Sequence, residues 1–424
     1  MLATAELIGE SAQAERLAAV LPGYLSRTPL YRRTGAATAG ARGPLAPTDL
    51  LRLPFITKQD IRRDFPRNFL GDGEDLESLI ENDSIELEHT SGTSEERTPL
   101  ILPRGWWAKQ ERRALGLNAI AARVLEEEPE ARRATISSPV CSSEICYTGV
   151  PTRDERIVGN TLFLTLSRLP FLWSDSELAR MAEEVIDWEP RFLDVDPVYG
   201  VVFARYLERE GIRLPSLSFV LCSYEYVSVT HRRILERVFR VPVLDLYGST
   251  ETGHLLMEDI TGEMRPSLQI ALLEAVEPDP AGIGDLVVTT LTNDLMPLVR
   301  YRIGDLIQRT EEPYRTRYIL HGRAADAFHT QDGRRITTRQ VDECFAGVQG
   351  ILHYQSIEQP ENRFCFRFVP DRDGPLAGDF EALQDRLCSL FRSPEKIQFA
   401  ATDLLMPESS GKFRLGYPIG KERQ

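Results

Sequence analysis

The chain has 424 residues, 42% hydrophobic and 27% charged. That length exceeds one ordinary core and predicts a large domain with a smaller one, or two of similar size. A formal net charge of −14 argues against nucleic acid or an anionic membrane as partner, since both demand a basic face, while a local basic pocket for a phosphate stays open. The six cysteines, Cys141, Cys146, Cys222, Cys344, Cys365 and Cys388, form no CxxC pair and lie at no zinc-ligand spacing from a histidine, so they read as reduced thiols. No apolar run approaches the roughly 20 residues of a membrane helix. Met1 to Gly9 lacks the basic-then-apolar pattern of a secretory signal, so the expected location is the cytoplasm.

Ala5 to Leu21 sets Ala, Leu and Val at helical spacing among Glu, Gln and Arg, which predicts an amphipathic opening helix. Thr34 to Pro47, rich in Gly, Ala and Pro, reads as a loop. Leu53-Pro-Phe-Ile-Thr-Lys58 and the residues up to Pro66 read as a turn, an N-cap at Thr57 and a short helix. From Ala134 to Asn293 short apolar runs alternate with helical patterns, the signature of strands joined by crossover helices in largely parallel sheets. Within that stretch Leu217 to Cys222 is a strand, Val229 to Phe239 a helix and Val241 to Leu246 the next strand. Tyr247-Gly-Ser-Thr-Glu-Thr-Gly253 then puts polar residues at a strand's carboxyl end, where open α/β sheets bind ligands. Gly284 to Thr292 and Leu298 to Gln308 read as two more strands, with Asn293-Asp294 turning between them. Past His321-Gly-Arg323 the segments shorten, so a boundary is expected near residue 321.

Glu88 to Pro99 crowds hydroxyls around Gly92. Hydroxyls and backbone N–H groups in a tight turn suit a polyphosphate, but the same composition makes a plain surface turn. GxxxxGK[ST] is absent both here and at Ser409-Ser-Gly-Lys412, so neither is a P-loop. Single residues are equally open to plain roles: Asp305 after Gly304 as a hairpin closer, Lys412 as a solvated tail charge, Glu251 as a helix-start carboxylate.

Taken in order, Ser91-Gly-Thr93, Tyr247-Gly-Ser-Thr-Glu251, Tyr301-Arg-Ile-Gly-Asp-Leu306, Gly322-Arg323 and Gly411-Lys412-Phe-Arg414 resemble the core motifs of the adenylate-forming superfamily of acyl-CoA synthetases, luciferases and peptide-synthetase adenylation domains. Leu53-Pro-Phe-Ile-Thr-Lys58 with Asp60-Ile-Arg62 is similar to the early signature of the phenylacetate-CoA ligase type. The resemblance implies a multi-domain α/β fold: a large N-terminal domain, residues 1–320, of mostly parallel sheets flanked by helices, and a small mobile α+β domain, residues 321–424. It also implies ATP-dependent conversion of a small aryl acid to its acyl-adenylate with release of pyrophosphate, then acyl transfer to CoA. An amine, a carrier-protein thiol or another small nucleophile is the alternative acceptor, and a nucleotide-binding protein without turnover is the rival from another class.

By the same resemblance, Ser91, Gly92, Thr93 and Ser94 would hold the β- and γ-phosphates, with Arg97 near the position where relatives carry a Lys. Tyr247 would stack on adenine, with Gly248, Ser249, Thr250 and Arg323 completing the nucleotide site, and Asp305 would accept the ribose hydroxyls. Glu251 would hold Mg²⁺, and Lys412 would bridge the substrate carboxylate and the α-phosphate. Two departures stand out. Ala325 occupies the position of the family's hinge aspartate, with Asp326 next to it. Ser223-Tyr-Glu-Tyr226 replaces a small-residue stretch, so Ser223, Tyr224, Tyr226 and Tyr247 are candidate acyl-pocket residues, and an aryl acid with a polar substituent is the expected substrate. Tyr224 and Tyr226 are equally open to a role as core aromatics. His254 to Pro266 contains no Cys, so the cysteine-rich metal site of some relatives is not expected, and His254 reads as a hydrogen-bonded residue rather than a ligand.

Overall fold

The computed structural model describes residues 2–33, 50–71, 73–90, 97–139, 145, 149–312, 315–330, 332–372, 374–392 and 397–419, with side chains described from residue 11 onward. Ser91, Gly92, Thr93 and Ser94, the expected phosphate loop, lie outside the described residues, as does the loop expected over Thr34 to Pro47. The chain divides into two compact units, each built from two stretches: residues 1–119 with 246–320, and 120–245 with 321–424. Among the described residues no helix is long and apolar enough to cross a membrane.

In the first unit the amphipathic opening forms the helix Leu2–Arg27, which buries Leu17, Leu21, Tyr24 and Leu25. Polar side chains of this segment reach strands far along the chain: Gln13 Nε2 donates to Ala271 O (2.6 Å), Tyr24 Oη to Asp294 Oδ1 (2.8 Å) and Tyr31 Oη to Pro297 O (2.8 Å). The sheet of this unit runs in the order Ala271–Val276, Ile283–Thr290, Tyr301–Glu312, Arg315–Arg323, Met264–Pro266, Gly253–Glu258, Val243–Ser249. Pairing is antiparallel between Ala271–Val276, Ile283–Thr290 and Tyr301–Glu312, and again between Val243–Ser249, Gly253–Glu258 and Met264–Pro266. Short turns connect these strands, and a short turn can only reverse the chain.

The Leu53 to Lys58 connector is sewn to the strand Tyr301–Glu312. Ile56 N–H donates to Arg300 O at 3.1 Å, and Arg302 N–H donates back to Ile56 O at 2.9 Å. The Phe55 ring lies under two guanidinium groups, those of Arg300 and Arg302, each 4.3 Å from its centroid. Arg300 also donates to Leu51 O and Leu53 O and pairs with Glu274. The helix Lys58–Arg62 then starts at Thr57, whose N–H and hydroxyl both donate to Asp60 Oδ2.

The second unit holds the parallel sheet that the strand and helix alternation predicts. Arg133–Ile136 pairs in parallel with Thr161–Phe163 and Phe192–Val195, which continues in parallel to Phe219–Cys222 and the start of Val243–Ser249. The helices Asp175–Trp188, Pro197–Glu210 and Val229–Phe239 carry the chain between strands, each capped by the residue before it: Ser174, Asp196 and Ser228. A second sheet orders Ile397–Ala401, Arg363–Pro370, Ile351–Gln359 and Gly416–Tyr417, with the helix Ala377–Phe391 in the same unit. Leu352, Val369, Leu405 and Phe413 from the later stretch join the apolar cluster built by residues 134–243.

Candidate functional site

In the first unit the strand Val243–Ser249 turns back into Gly253–Glu258 through Thr250 and Glu251. The return is tight: a Cβ at Gly248 would stand 2.3 Å from Gly253 O, so only glycine fits there. Ser249 Oγ and Thr252 Oγ1 lie 2.9 Å apart across the turn, and Thr250 is half-buried between them in sequence. Tyr247 Oη donates to Asp305 Oδ2 at 2.6 Å, which joins two of the expected nucleotide residues directly. Asp305 is 6% exposed and follows Gly304 (φ +93°) inside the strand Tyr301–Glu312, not at a hairpin tip.

Glu251, also 6% exposed, is surrounded by donors. The hydroxyl of the fully buried Tyr301 reaches its Oε1 at 3.0 Å, and Lys58 Nζ stands 3.4 Å from the same oxygen. Burial pushes this carboxyl up, but the Lys58 charge, its own backbone N–H and the hydroxyls of Ser249 and Tyr301 outweigh that and hold it below the ordinary carboxylate range. Lys58 and Tyr301 both lie inside the motifs quoted above, yet their convergence on Glu251 depends on strand pairing and is not written in spacing.

In the second unit the carboxyl ends of parallel strands bring another set together. Ser223 Oγ donates to Asp194 Oδ1 at 2.6 Å and Tyr224 Oη to Asp194 Oδ2 at 3.2 Å, with Asp194 itself buried. Lys412 Nζ donates to Tyr224 O at 3.0 Å, and Phe413 N–H donates to Glu225 Oε1 at 2.5 Å. Asp196 caps the helix Pro197–Glu210, and burial pushes its carboxyl up to about 7 against the nearby Lys412 charge. Glu225 is driven well above the ordinary range by burial and by Asp196, again with Lys412 opposing. Tyr226 turns elsewhere: its hydroxyl donates to Asp342 Oδ2 (3.4 Å), and its ring packs on the cluster of Phe345 and Tyr354. Arg323 is exposed at the start of the turn Ala324–Asp326, and Asp326 pairs with Arg414 (3.0 Å), two residues beyond Lys412. Asp194, Asp196, Glu225 and Lys58 are the residues that motif reading passed over.

Among the described residues no group of three or more His, Cys, Asp or Glu side chains is placed to hold a metal. A single ionised carboxylate beside hydroxyls fits the habit of Mg²⁺, which keeps waters and takes its remaining ligands from substrate phosphates. Glu251 fits that role; a closed cage for zinc would need a different donor set.

No family profile matches the chain. Phenylacetate-coenzyme A ligase of Thermus thermophilus is 26% identical over 374 residues, covering 82% of this chain and 78% of its own length. The protein of the same description from Pseudomonas putida is 24% identical over 374 residues, with the same shares covered. Among solved structures, 2-hydroxyisobutyryl-CoA ligase in the postadenylation state, in complex with R3-HIB-AMP, aligns over 97% of this chain and 90% of that one at TM-score 0.65 and 19% identity. Over most of its length the chain is thus similar in sequence to phenylacetate-CoA ligases, and it shares its α/β fold with 2-hydroxyisobutyryl-CoA ligase.

Proposed function

We propose that the chain activates a small aryl carboxylic acid with ATP, forming an acyl-adenylate and pyrophosphate, and then transfers the acyl group to CoA. The reaction brings two anions together, a carboxylate and an α-phosphate, so catalysis rests on positioning and charge neutralisation rather than on a general base. Tyr247 flanks adenine and orients Asp305, which accepts from the ribose hydroxyls, with Gly248, Ser249 and Thr250 completing this side of the nucleotide site. Glu251 would hold Mg²⁺, which when bound supplies positive charge to the phosphates. Ser91, Gly92, Thr93, Ser94 and Arg97 are assigned to the β- and γ-phosphates. Lys412 is assigned to the acid carboxylate and the α-phosphate.

The observation that carries this reading is the direct bond between Tyr247 and Asp305 on the sheet that also carries the buried, ionised Glu251. For the acid, the half-buried Ser223 and Tyr224 donate to Asp194, and a donating hydroxyl oxygen can also accept, which supports a pocket that reads a hydrogen-bond-donating substituent. Tyr226 is left out of that pocket because its ring packs on the cluster of Phe345 and Tyr354. Acid-dependent pyrophosphate–ATP exchange tests both statements. Exchange is expected with hydroxy- or amino-substituted aryl acids above phenylacetate, falling about 10²–10³-fold in Lys412→Ala. Nucleotide binding without exchange for any acid would instead describe a binder, and a preference for phenylacetate would remove the polar pocket.

The acceptor has a second reading. Relatives that move their small domain do so on an aspartate where this chain has Ala325, and here Leu352, Val369, Leu405 and Phe413 share an apolar cluster with residues 134–243. A small domain so held favours transfer to an amine or a carrier-protein thiol without large movement. Measuring CoA thioester and amide products side by side separates the two.

A further inference from the structure

Lys58 stands apart from the residues assigned above. Its ammonium is 3.4 Å from Glu251 Oε1, while its side chain keeps 34% of its surface exposed. Its backbone is immobilised from both sides: Thr57 is boxed with Asp60, and Ile56 is paired with Arg300 and Arg302 over the clamped Phe55 ring. The anchor is rigid and the four-carbon stem is not, so the charge can leave Glu251 without disturbing the fold.

Two cations now claim one carboxylate. With Tyr301 fixed on the same oxygen, a divalent ion arriving alone at Glu251 meets an ammonium a few ångströms away, with only one negative charge between them. A metal–nucleotide complex is different, because its net charge is negative and its phosphates offer the ammonium a new partner. We propose that Lys58 is a positioning residue that makes Glu251 accept a divalent cation only together with nucleotide phosphates, toward which its ammonium then turns. This rests on the reading of Glu251 as the metal-binding carboxylate.

Electron paramagnetic resonance of Mn²⁺ on the full chain tests it, with and without α,β-methylene ATP, for the wild type, Lys58→Gln and Lys58→Arg. Without nucleotide, Lys58→Gln is expected to bind Mn²⁺ at least about tenfold more tightly than the wild type, because the repulsion between close like charges at a protein surface is removed. With nucleotide the order reverses, Lys58→Gln binding the Mn²⁺ complex more weakly, and Lys58→Arg follows the wild type in both arms. A residue that merely supported the fold would weaken binding in both arms of Lys58→Gln. That result, or equal nucleotide-free affinity in Lys58→Gln and wild type, overturns the proposal while leaving Glu251 its role. Absence of Mn²⁺–nucleotide binding in the wild type removes the Glu251 reading, and the proposal with it.

Discussion

Asp342 accepts from Val229 N–H at 2.9 Å and from the hydroxyls of Tyr226 and Tyr354, and burial pushes its carboxyl up to about 7 despite those donors. An unfolded-chain aspartate releases its proton near about 3.9, so between that value and about 7 the folded state holds the extra proton and stability falls as pH rises. The slope reaches at most about 1.4 kcal/mol per pH unit for one group. Asp342→Asn removes this contribution. Its thermal midpoint relative to the wild type is expected to climb from pH 4.5 to 7 and level off above, and a difference that stays constant with pH would contradict the assignment. At this scale the sequence reveals residues whose role is set by a local motif: Tyr247, Glu251 and Asp305 sit in short signatures that state their own spacing. The roles of Lys58, Asp194 and Asp342 are not stated that way, because each gains its meaning from a partner more than 25 positions away, brought close only by pairing and packing.

Elements were legible where caps and period agreed. The helix Val229–Phe239 has the bounds that its apolar spacing predicts, since Ser228 caps its start and Arg240 leaves it in the left-handed region (φ +58°). Sheet direction was harder to read: alternation with helices predicts parallel pairing and finds it around Phe192–Val195, whereas the strands between 253 and 312 reverse through short turns. The turn that presents Lys412 has the strictest demand. Gly411 has φ +85°, and a Cβ there would stand 1.9 Å from Ser138 Oγ. Glu408 N–H donates to Lys412 O across the turn at 2.7 Å, and Tyr199 Oη donates to Gly411 O at 2.9 Å. Gly411→Ala is expected to cost about 2–4 kcal/mol, against about 1 kcal/mol for Gly333→Ala, whose φ of +79° is similar but whose Cβ meets open space. Urea denaturation of the two variants measures the difference, and equal losses would show that the Ser138 contact carries no weight.

Across the whole molecule, the contacts that close the first unit are long in sequence. Tyr31 is 2% exposed, its hydroxyl donating to Pro297 O and accepting from Val299 N–H, both at 2.8 Å. Tyr31→Phe leaves both backbone groups buried without that partner and is expected to lower stability by about 1–3 kcal/mol in a chemical denaturation experiment. A loss within experimental error would show that the neighbouring backbone finds other partners. The opening helix makes the same kind of connection, bonding Gln13 to Ala271 across 258 positions and Tyr24 to Asp294 across 270. On the ribosome, therefore, this helix emerges long before the strands that receive it. Its Leu17, Leu21 and Leu25 belong to an apolar cluster that Leu273, Leu286 and Val288 complete, so that cluster closes only after those strands have left the exit tunnel.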